Sequence, residues 1–222
     1  VPRRAGARDG ARSAAMKRRR WAVGAWLALV LVSGQAWTVS CAAARAADTR
    51  VRDLEGRAFD PLAHASAPAL VLLFTDPQCP ISNAFAPEVQ RLHAEFAPRG
   101  VEFTLVYADP ERTAEEVRRH VHDFGYPFPA VLDPAQELAR RAGATLVPEA
   151  CVFAHGELVY RGRIDDRYVA FGKQRAAPTA RDLHAALTAV LCGARPAEPW
   201  PSAIGCAIPP EGVGGSGYPP KV

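Results

Sequence analysis

Residues 69–82 read ALVLLFTDPQCPIS, and this stretch decides the fold. Residues 69–75 are aliphatic, aromatic or β-branched without alternation, which is typical of a strand buried on both faces of a sheet. A three-residue loop, 76–78, follows the strand. Pro80 then suits the first turn of a helix, because an N–H in that turn has no partner within the helix. Cys79 is therefore predicted to be the N-cap of a helix that directly follows a buried strand.

The residues after Pro80 continue the pattern of a strand followed by a helix and a second strand. Apolar residues recur at three- and four-residue spacing and mark one face of a helix: Ile81, Phe85, Val89, Leu92 and Phe96. A second apolar run, 101–108, predicts the next strand, parallel to the first and joined to it by a right-handed connection.

Further elements follow from turn and capping residues. His155 and Gly156 separate two apolar runs and predict a hairpin of strands 150–154 and 157–161. Helices are predicted at 113–124, at 134–142 with Gly143 as its end, and at 179–192 with Thr179 near the N-cap and Gly193 as its end. Alternating strands and helices, then a hairpin and a helix, predict an α/β fold with a mixed sheet covered by helices on both faces.

Cys79 is the candidate reactive residue. Free N–H groups and the dipole of a helix N-terminus favour a thiolate, which is the nucleophilic form of cysteine. Ser82, three residues on, can hydrogen-bond such a thiolate but cannot resolve a mixed disulfide. The structural alternative is an inert buried cysteine.

Three segments resemble the redoxin group of thioredoxin-fold proteins, which includes the alkyl hydroperoxide reductase and thiol-specific antioxidant enzymes. Residues 74–82 (FTDPQCPIS), with APE at 86–88, resemble the segment of the reactive cysteine. Residues 145–150 (TLVPEA) are similar to the segment carrying the family's cis-proline. Residues 160–168 (YRGRIDDRY) resemble a block typical of an exported subgroup. The resemblance covers about residues 53–193 and implies a thioredoxin-like mixed sheet flanked by helices.

The resemblance implies a thiol oxidoreductase with Cys79 as the nucleophile towards a peroxide or a protein disulfide. Pro148 corresponds to the cis-proline, beside which the Val147 backbone would pair with a peptide substrate. Peroxiredoxins carry Thr or Ser three residues before the cysteine, where this chain has Asp76, with Thr75 one residue further back. Both substrates therefore stay open, as does a non-catalytic redoxin-fold module that binds an exported partner. An unidentified thiol would serve as reductant.

A resolving cysteine has to come from elsewhere in the chain, which has no C-x-x-C motif. Cys151 falls in a predicted central strand and Cys192 at the end of the last helix, where small buried residues are expected. Cys206 lies in a small apolar island, 204–208, and residues 202–208 resemble a Gly-Cys segment that follows the redoxin domain in the exported subgroup. We predict Cys206 as the resolving partner of Cys79, although a Cys192–Cys206 disulfide that pins the tail is the alternative.

Other polar residues receive structural interpretations. Glu149 is taken as a solvated surface acid in preference to a proton-transfer group. The charges of 161–168 are taken as solvated ion pairs. His120 and His122 lie two apart on a helix and are taken as solvated, so no metal site and no cofactor are expected.

Charge is distributed unevenly along the 222 residues. Residues 1–46 hold nine of the 27 Lys and Arg residues but one of the 23 acidic ones, so the net charge of +4 arises there. No nucleic-acid surface is therefore indicated. We divide the chain into an upstream extension and signal peptide (1–46), a redoxin domain (47–193) and a Pro/Gly-rich tail (194–222).

The first 46 residues have the pattern of a secretory leader. The basic cluster KRRR at 17–20 precedes the apolar run 21–32 and then small residues. Met16, the only methionine, is expected to be the start. An exported protein in the periplasm is predicted, with an uncleaved leader or a lipidated Cys41 as the two means of membrane attachment.

We expect the exported protein to begin near Ala47, because Ala44 and Ala46 place small residues at the positions that a signal peptidase reads. N-terminal sequencing of the exported protein tests this. A chain that begins at Met16, or an acylated Cys41, would contradict it.

Overall fold

The structure is a computed structural model and describes residues 51–63 and 67–210. The predicted start at Met16, the leader, cleavage near Ala47 and lipidation of Cys41 lie outside the described residues, as does 211–222. Within the described part, no helix is long and apolar enough to cross a bilayer.

A mixed sheet organises the chain. Its strands within the described residues are β1 (Arg52–Asp53), β2 (Ala69–Phe74), β3 (Val101–Tyr107), β4 (Ala130–Leu132), β6 (Glu149–Ala154) and β7 (Glu157–Gly162). Their order is β1-β4-β3-β2-β6-β7. The central strands β2, β3 and β4 are parallel, whereas β1, β6 and β7 join antiparallel.

Two small ribbons complete the strands. One pairs β5 (Leu146–Val147) with β10 (Cys206–Ala207), and the other pairs β8 (Tyr168–Ala170) with β9 (Lys173–Gln174).

Helices flank the sheet. They are α1 (Pro80–Ala84), α2 (Ala86–Phe96), α3 (Ala114–Asp123), α4 (Glu137–Ala142) and α5 (Asp182–Leu191), with short 3-10 helices at Pro61–Ala63 and Ala97–Arg99. All six residues of β2 are buried, which requires cover on both faces because successive side chains point to opposite sides. The predicted thioredoxin-like α/β fold is confirmed.

The long helix predicted from Pro80 is in fact two helices that meet at Phe85. Pro87 has no N–H to donate to the carbonyl of Asn83, so the helical ladder cannot continue through this point. The Phe85 N–H donates to Ser82 O at 3.0 Å and closes α1 after five residues.

Two predicted helix starts are also wrong. Gln136 adopts a left-handed φ of 51°, so α4 begins at Glu137 and not at 134. The last helix begins at Asp182, because Thr179 donates its N–H and its hydroxyl to Asp166 in place of capping the helix.

The prediction that the acidic residues of 161–168 are solvated is wrong. Asp165 and Asp166 are 2% and 4% exposed. Asp166 also accepts the N–H of Ala180 at 2.9 Å. These hydrogen bonds hold the pKa of Asp166 well below its usual range. The block therefore ties the segment before α5 to the sheet.

The N-terminus of α3 carries a reciprocal cap that can be tested. Thr113 Oγ1 accepts the N–H of Glu116 at 3.3 Å, and the Glu116 carboxylate accepts the N–H of Thr113 at 2.9 Å. We expect Thr113→Ala to lower the free energy of unfolding by about 1 kcal/mol, measured by urea denaturation. Thr113→Ser keeps the oxygen and is the control. Wild-type stability in Thr113→Ala would show that the cap contributes nothing.

Candidate active site

Cys79 is the N-cap of α1, as predicted, with an extended backbone at φ −85° and ψ 108°. Its side chain is fully buried. The Cys79 thiol donates to Val147 O at 3.3 Å, and the Cys206 thiol donates to Cys79 Sγ at 2.7 Å. The two sulfurs are therefore in direct contact, although 127 positions separate them in the chain.

Residues 201–209, which we call the strap, carry Cys206 to this position. Cys206 lies opposite Val147 in the antiparallel β5–β10 ribbon. Ile208 N donates to Thr145 O at 3.0 Å. The strap therefore lies along β5 as an added strand.

Two glycines permit the close approach of the strap. A Cβ at Gly205 would stand 2.0 Å from Val147 O, and a Cβ at Gly162 would stand 2.2 Å from Pro201 O. Arg163 N also donates to Pro201 O at 3.1 Å. The strap is thus fixed at Pro201 and at Gly205, both before Cys206, by contacts that no residue larger than glycine allows at positions 162 and 205.

The turn before Pro148 is held by a buried acid. Glu149 accepts the N–H groups of Thr145 at 2.9 Å and Leu146 at 3.3 Å, and its pKa is raised by burial. Our interpretation of Glu149 as a solvated acid is wrong, because a carboxylate next to this turn satisfies two backbone donors. The Val147–Pro148 peptide bond is cis.

Asp76 lies in the loop before Cys79 and is 1% exposed. Its carboxylate accepts the N–H of Gln78 at 2.8 Å and forms an ion pair with Arg112 at 3.0 Å. Burial, the hydrogen bond to Cys79 and the nearby Asp76 charge together raise the pKa of Cys206. The Cys206 thiol of the reduced site therefore keeps its proton at pH 7.

Ser82 and Thr75 are both buried near the reactive loop. Ser82 Oγ has no hydrogen-bond partner among the described residues, so it makes no bond to Cys79 here. Thr75 follows β2, and its N–H donates to Val106 O at 3.0 Å. The structure brings Cys79, Val147 and Cys206 into direct contact.

The remaining cysteines lie apart from this pair. Cys151 is buried in β6, and burial raises the pKa of its thiol well above the usual value. Cys192 is exposed at the end of α5, where we predicted a buried residue. None of the four cysteines in the described part of the chain forms a disulfide.

His120 is buried, so the interpretation of this histidine as solvated is wrong. It is 4% exposed and hydrogen-bonds Tyr107 and Asn83, whereas His122 is exposed as predicted. The signal was available, since His120 lies three residues after the buried Val117 on the same helix face. Across residues 51–63 and 67–210, no group of His, Cys, Asp or Glu side chains could hold a metal ion.

Comparisons with known proteins identify the family of the chain. Residues 28–161 match the model of the AhpC/TSA family. The thiol-disulfide oxidoreductase ResA of Halalkalibacterium halodurans is 31% identical over 111 residues, which cover 49% of this chain and 61% of ResA. The chain therefore spans less than two thirds of that relative's length.

Two crystal structures are similar along most of their length. A hypothetical protein from Sinorhizobium meliloti 1021 is 29% identical with a TM-score of 0.62, covering 71% of this chain and 88% of its own. An uncharacterized conserved protein from Geobacillus kaustophilus is 27% identical with a TM-score of 0.64, covering 74% and 89%.

We expect Gly205→Ala to detach the strap, because the added methyl group would overlap Val147 O. Overpacking of this kind costs about 1 to 3 kcal/mol, so Cys79 of the reduced protein should be alkylated about tenfold faster or more. The measurement is iodoacetamide labelling followed by peptide mass spectrometry. Ser202→Ala, at an exposed strap position, is the control. Equal labelling rates in Gly205→Ala and wild type would contradict the docking contact.

Proposed function

The chain belongs to the AhpC/TSA family, and from that membership we propose that it is a thiol-disulfide oxidoreductase in which Cys79 and Cys206 cycle between dithiol and disulfide. One observation carries this proposal: the two Sγ atoms lie 2.7 Å apart. A bonded pair needs about 2.05 Å, so only a small movement separates the dithiol from the disulfide. The 31% identity to a protein named as a thiol-disulfide oxidoreductase supports it.

The exchange proceeds in two steps, each of which forms one disulfide bond and breaks another. The Cys79 thiolate attacks a substrate disulfide, forms a mixed disulfide and releases one substrate thiolate, which takes up a proton. Cys206 then loses its proton, attacks Cys79 Sγ and releases the second substrate thiol, leaving a Cys79–Cys206 disulfide. Two electrons have passed to the substrate. A dithiol reductant restores the pair and is itself oxidised to a disulfide.

The pKa of Cys206 fits the role of the second thiol. Its protonated form is favoured by burial and by the neighbouring Cys79 sulfur and Asp76 carboxylate. Once Cys79 is part of a mixed disulfide it carries no charge. Its contribution to the raised pKa of Cys206 is then removed, and Cys206 loses its proton more easily. The resolving attack is thereby coupled to the first step.

Access to the sulfurs requires movement of the strap. Cys79 is 0% and Cys206 4% exposed, so a protein disulfide cannot reach either sulfur while the strap covers them. When the strap leaves β5, the Val147 backbone beside Pro148 becomes an edge with which an extended substrate segment can pair. Thr75 and Ser82 would then line the vacated site, where the unpartnered Ser82 hydroxyl can donate to the Cys79 thiolate.

The strap belongs to the working unit, since it supplies one of the two sulfurs. We therefore propose that the redoxin domain of 47–193 acts together with the 194–222 tail. An extracytoplasmic location is proposed from the leader pattern of residues 17–32 alone.

We expect Cys79→Ser to abolish reduction of a protein disulfide while keeping the fold, since serine is also an N-cap residue. Cys206→Ser should stop after one turnover with the substrate attached to Cys79, because nothing resolves the mixed disulfide. Cys192→Ser, at the exposed cysteine, is the matched control and should turn over like wild type. Insulin reduction, followed by mass spectrometry of trapped adducts, measures all three. Wild-type turnover in Cys206→Ser would rule out the resolving role.

A further inference from the structure

A chain of hydrogen bonds links the buried residues Tyr107 and His120 to the loop before Cys79. Tyr107 Oη lies 2.7 Å from His120 Nδ1, and His120 Nε2 lies 2.9 Å from Asn83 Oδ1. Asn83 Nδ2 donates to Pro77 O at 2.9 Å. Tyr107 is fully buried in β3 and His120 nearly so in α3, so the chain links the core to the reactive loop.

The direction of each hydrogen bond follows from its end at Pro77. A carbonyl only accepts, so Asn83 turns its NH₂ to Pro77 and its oxygen to His120. His120 Nε2 must then carry the proton, and the bare Nδ1 accepts the hydroxyl proton of Tyr107. Burial lowers the pKa of His120 to about 4 and raises that of Tyr107, so both groups are neutral at pH 7, as this arrangement requires.

The peptide unit that joins Pro77 to Gln78 is held at both ends. Its C=O accepts from Asn83 at 2.9 Å, and its N–H donates to Asp76 at 2.8 Å. Asp76 is fixed in turn by the ion pair with Arg112, a side chain only 7% exposed. Rotation of this peptide unit would break one or both of these hydrogen bonds. Only Gln78 lies between this peptide unit and Cys79, so the orientation of the unit limits where the Cys79 backbone enters α1.

We propose that His120 is a positioning residue for the redox pair, holding the Cys79 sulfur against Cys206 through Asn83 and the Pro77 carbonyl. This inference rests on the proposed Cys79–Cys206 chemistry. The effect is on the effective concentration of one thiol towards the other, which governs how readily the disulfide forms. If His120 only filled the core, its substitution would change the stability of the fold and would not change the effective concentration of the two thiols.

The test compares His120→Leu with His120→Gln. Leucine removes both hydrogen bonds, whereas the Gln amide nitrogen reaches the position of Nε2 and can still donate to Asn83. The measurement is the equilibrium of the Cys79–Cys206 disulfide with reduced and oxidised glutathione in the full chain. It is made at a temperature below the thermal unfolding midpoint of each variant. We expect His120→Leu to lower the effective concentration about five- to tenfold, the scale of one lost hydrogen bond. His120→Gln should stay within about twofold of wild type, a smaller loss because one of the two bonds is kept.

Asn83→Ala is the second variant, and it removes only a half-buried amide, so its fold should persist. It should lower the effective concentration as much as His120→Leu does, and the double variant should lose no more than either single variant, because both act through one contact. His122→Ala, at the exposed histidine of the same helix, is the control and should match wild type.

The outcomes separate this inference from the proposed function. Wild-type equilibria in both His120→Leu and Asn83→Ala would overturn the positioning role and leave the redox pair intact. Equal losses in His120→Gln and His120→Leu would also overturn it, since they would indicate a requirement for shape and not for donation. A wild-type protein that forms no Cys79–Cys206 disulfide would overturn the proposed function and this inference together.

Discussion

Gly205 lies against the carbonyl of Val147 so closely that a Cβ at this position would stand 2.0 Å from the oxygen. This approach sets Cys206 opposite Val147, whose carbonyl also accepts the Cys79 thiol at 3.3 Å. One backbone group therefore aligns both sulfurs. Closing so long a loop in the chain is entropically unfavourable, and the ribbon hydrogen bonds and apolar burial of the strap oppose that cost. The close pairing of the two thiols depends on this contact.

The proposed chemistry of the site depends on the burial of its two sulfurs. Two thiols buried side by side share one hydrogen bond, and the Asp76 carboxylate near them forms an ion pair with Arg112. In such surroundings a further negative charge is strongly disfavoured, which raises the pKa of Cys206 and keeps its thiol protonated. In the proposed exchange, burial would thus order the two steps. It would also make detachment of the strap from β5 the event that admits a substrate.

Local sequence rules predicted much of the fold and the centre of the site. The unbroken apolar run of β2 and the turn at His155 and Gly156, both with positive φ, gave correct strands. Proline after Cys79 located the N-cap, because its ring suits a first helical turn. These features depend on residues close in sequence, so the chain carries their signal locally. Contacts made across the fold are harder to predict: the burial of Glu149 depends on backbone donors that periodicity does not reveal. The burial of His120, by contrast, follows from its position on the same helix face as Val117. The role of Cys206 is predicted from elimination and resemblance. Its contact with Cys79 depends on the pairing of the strap with β5, which the sequence does not reveal.

The central claim is that Cys79 and Cys206 form the redox pair, and disulfide mapping of the oxidised protein tests it most directly. The full chain would be oxidised with glutathione disulfide, blocked with an alkylating reagent, digested without reduction and analysed by mass spectrometry. A single crosslinked peptide pair containing Cys79 and Cys206, with Cys151 a free thiol and Cys192 not crosslinked to either, is the predicted result. A Cys192–Cys206 crosslink, with Cys79 left free or glutathionylated, would contradict the account.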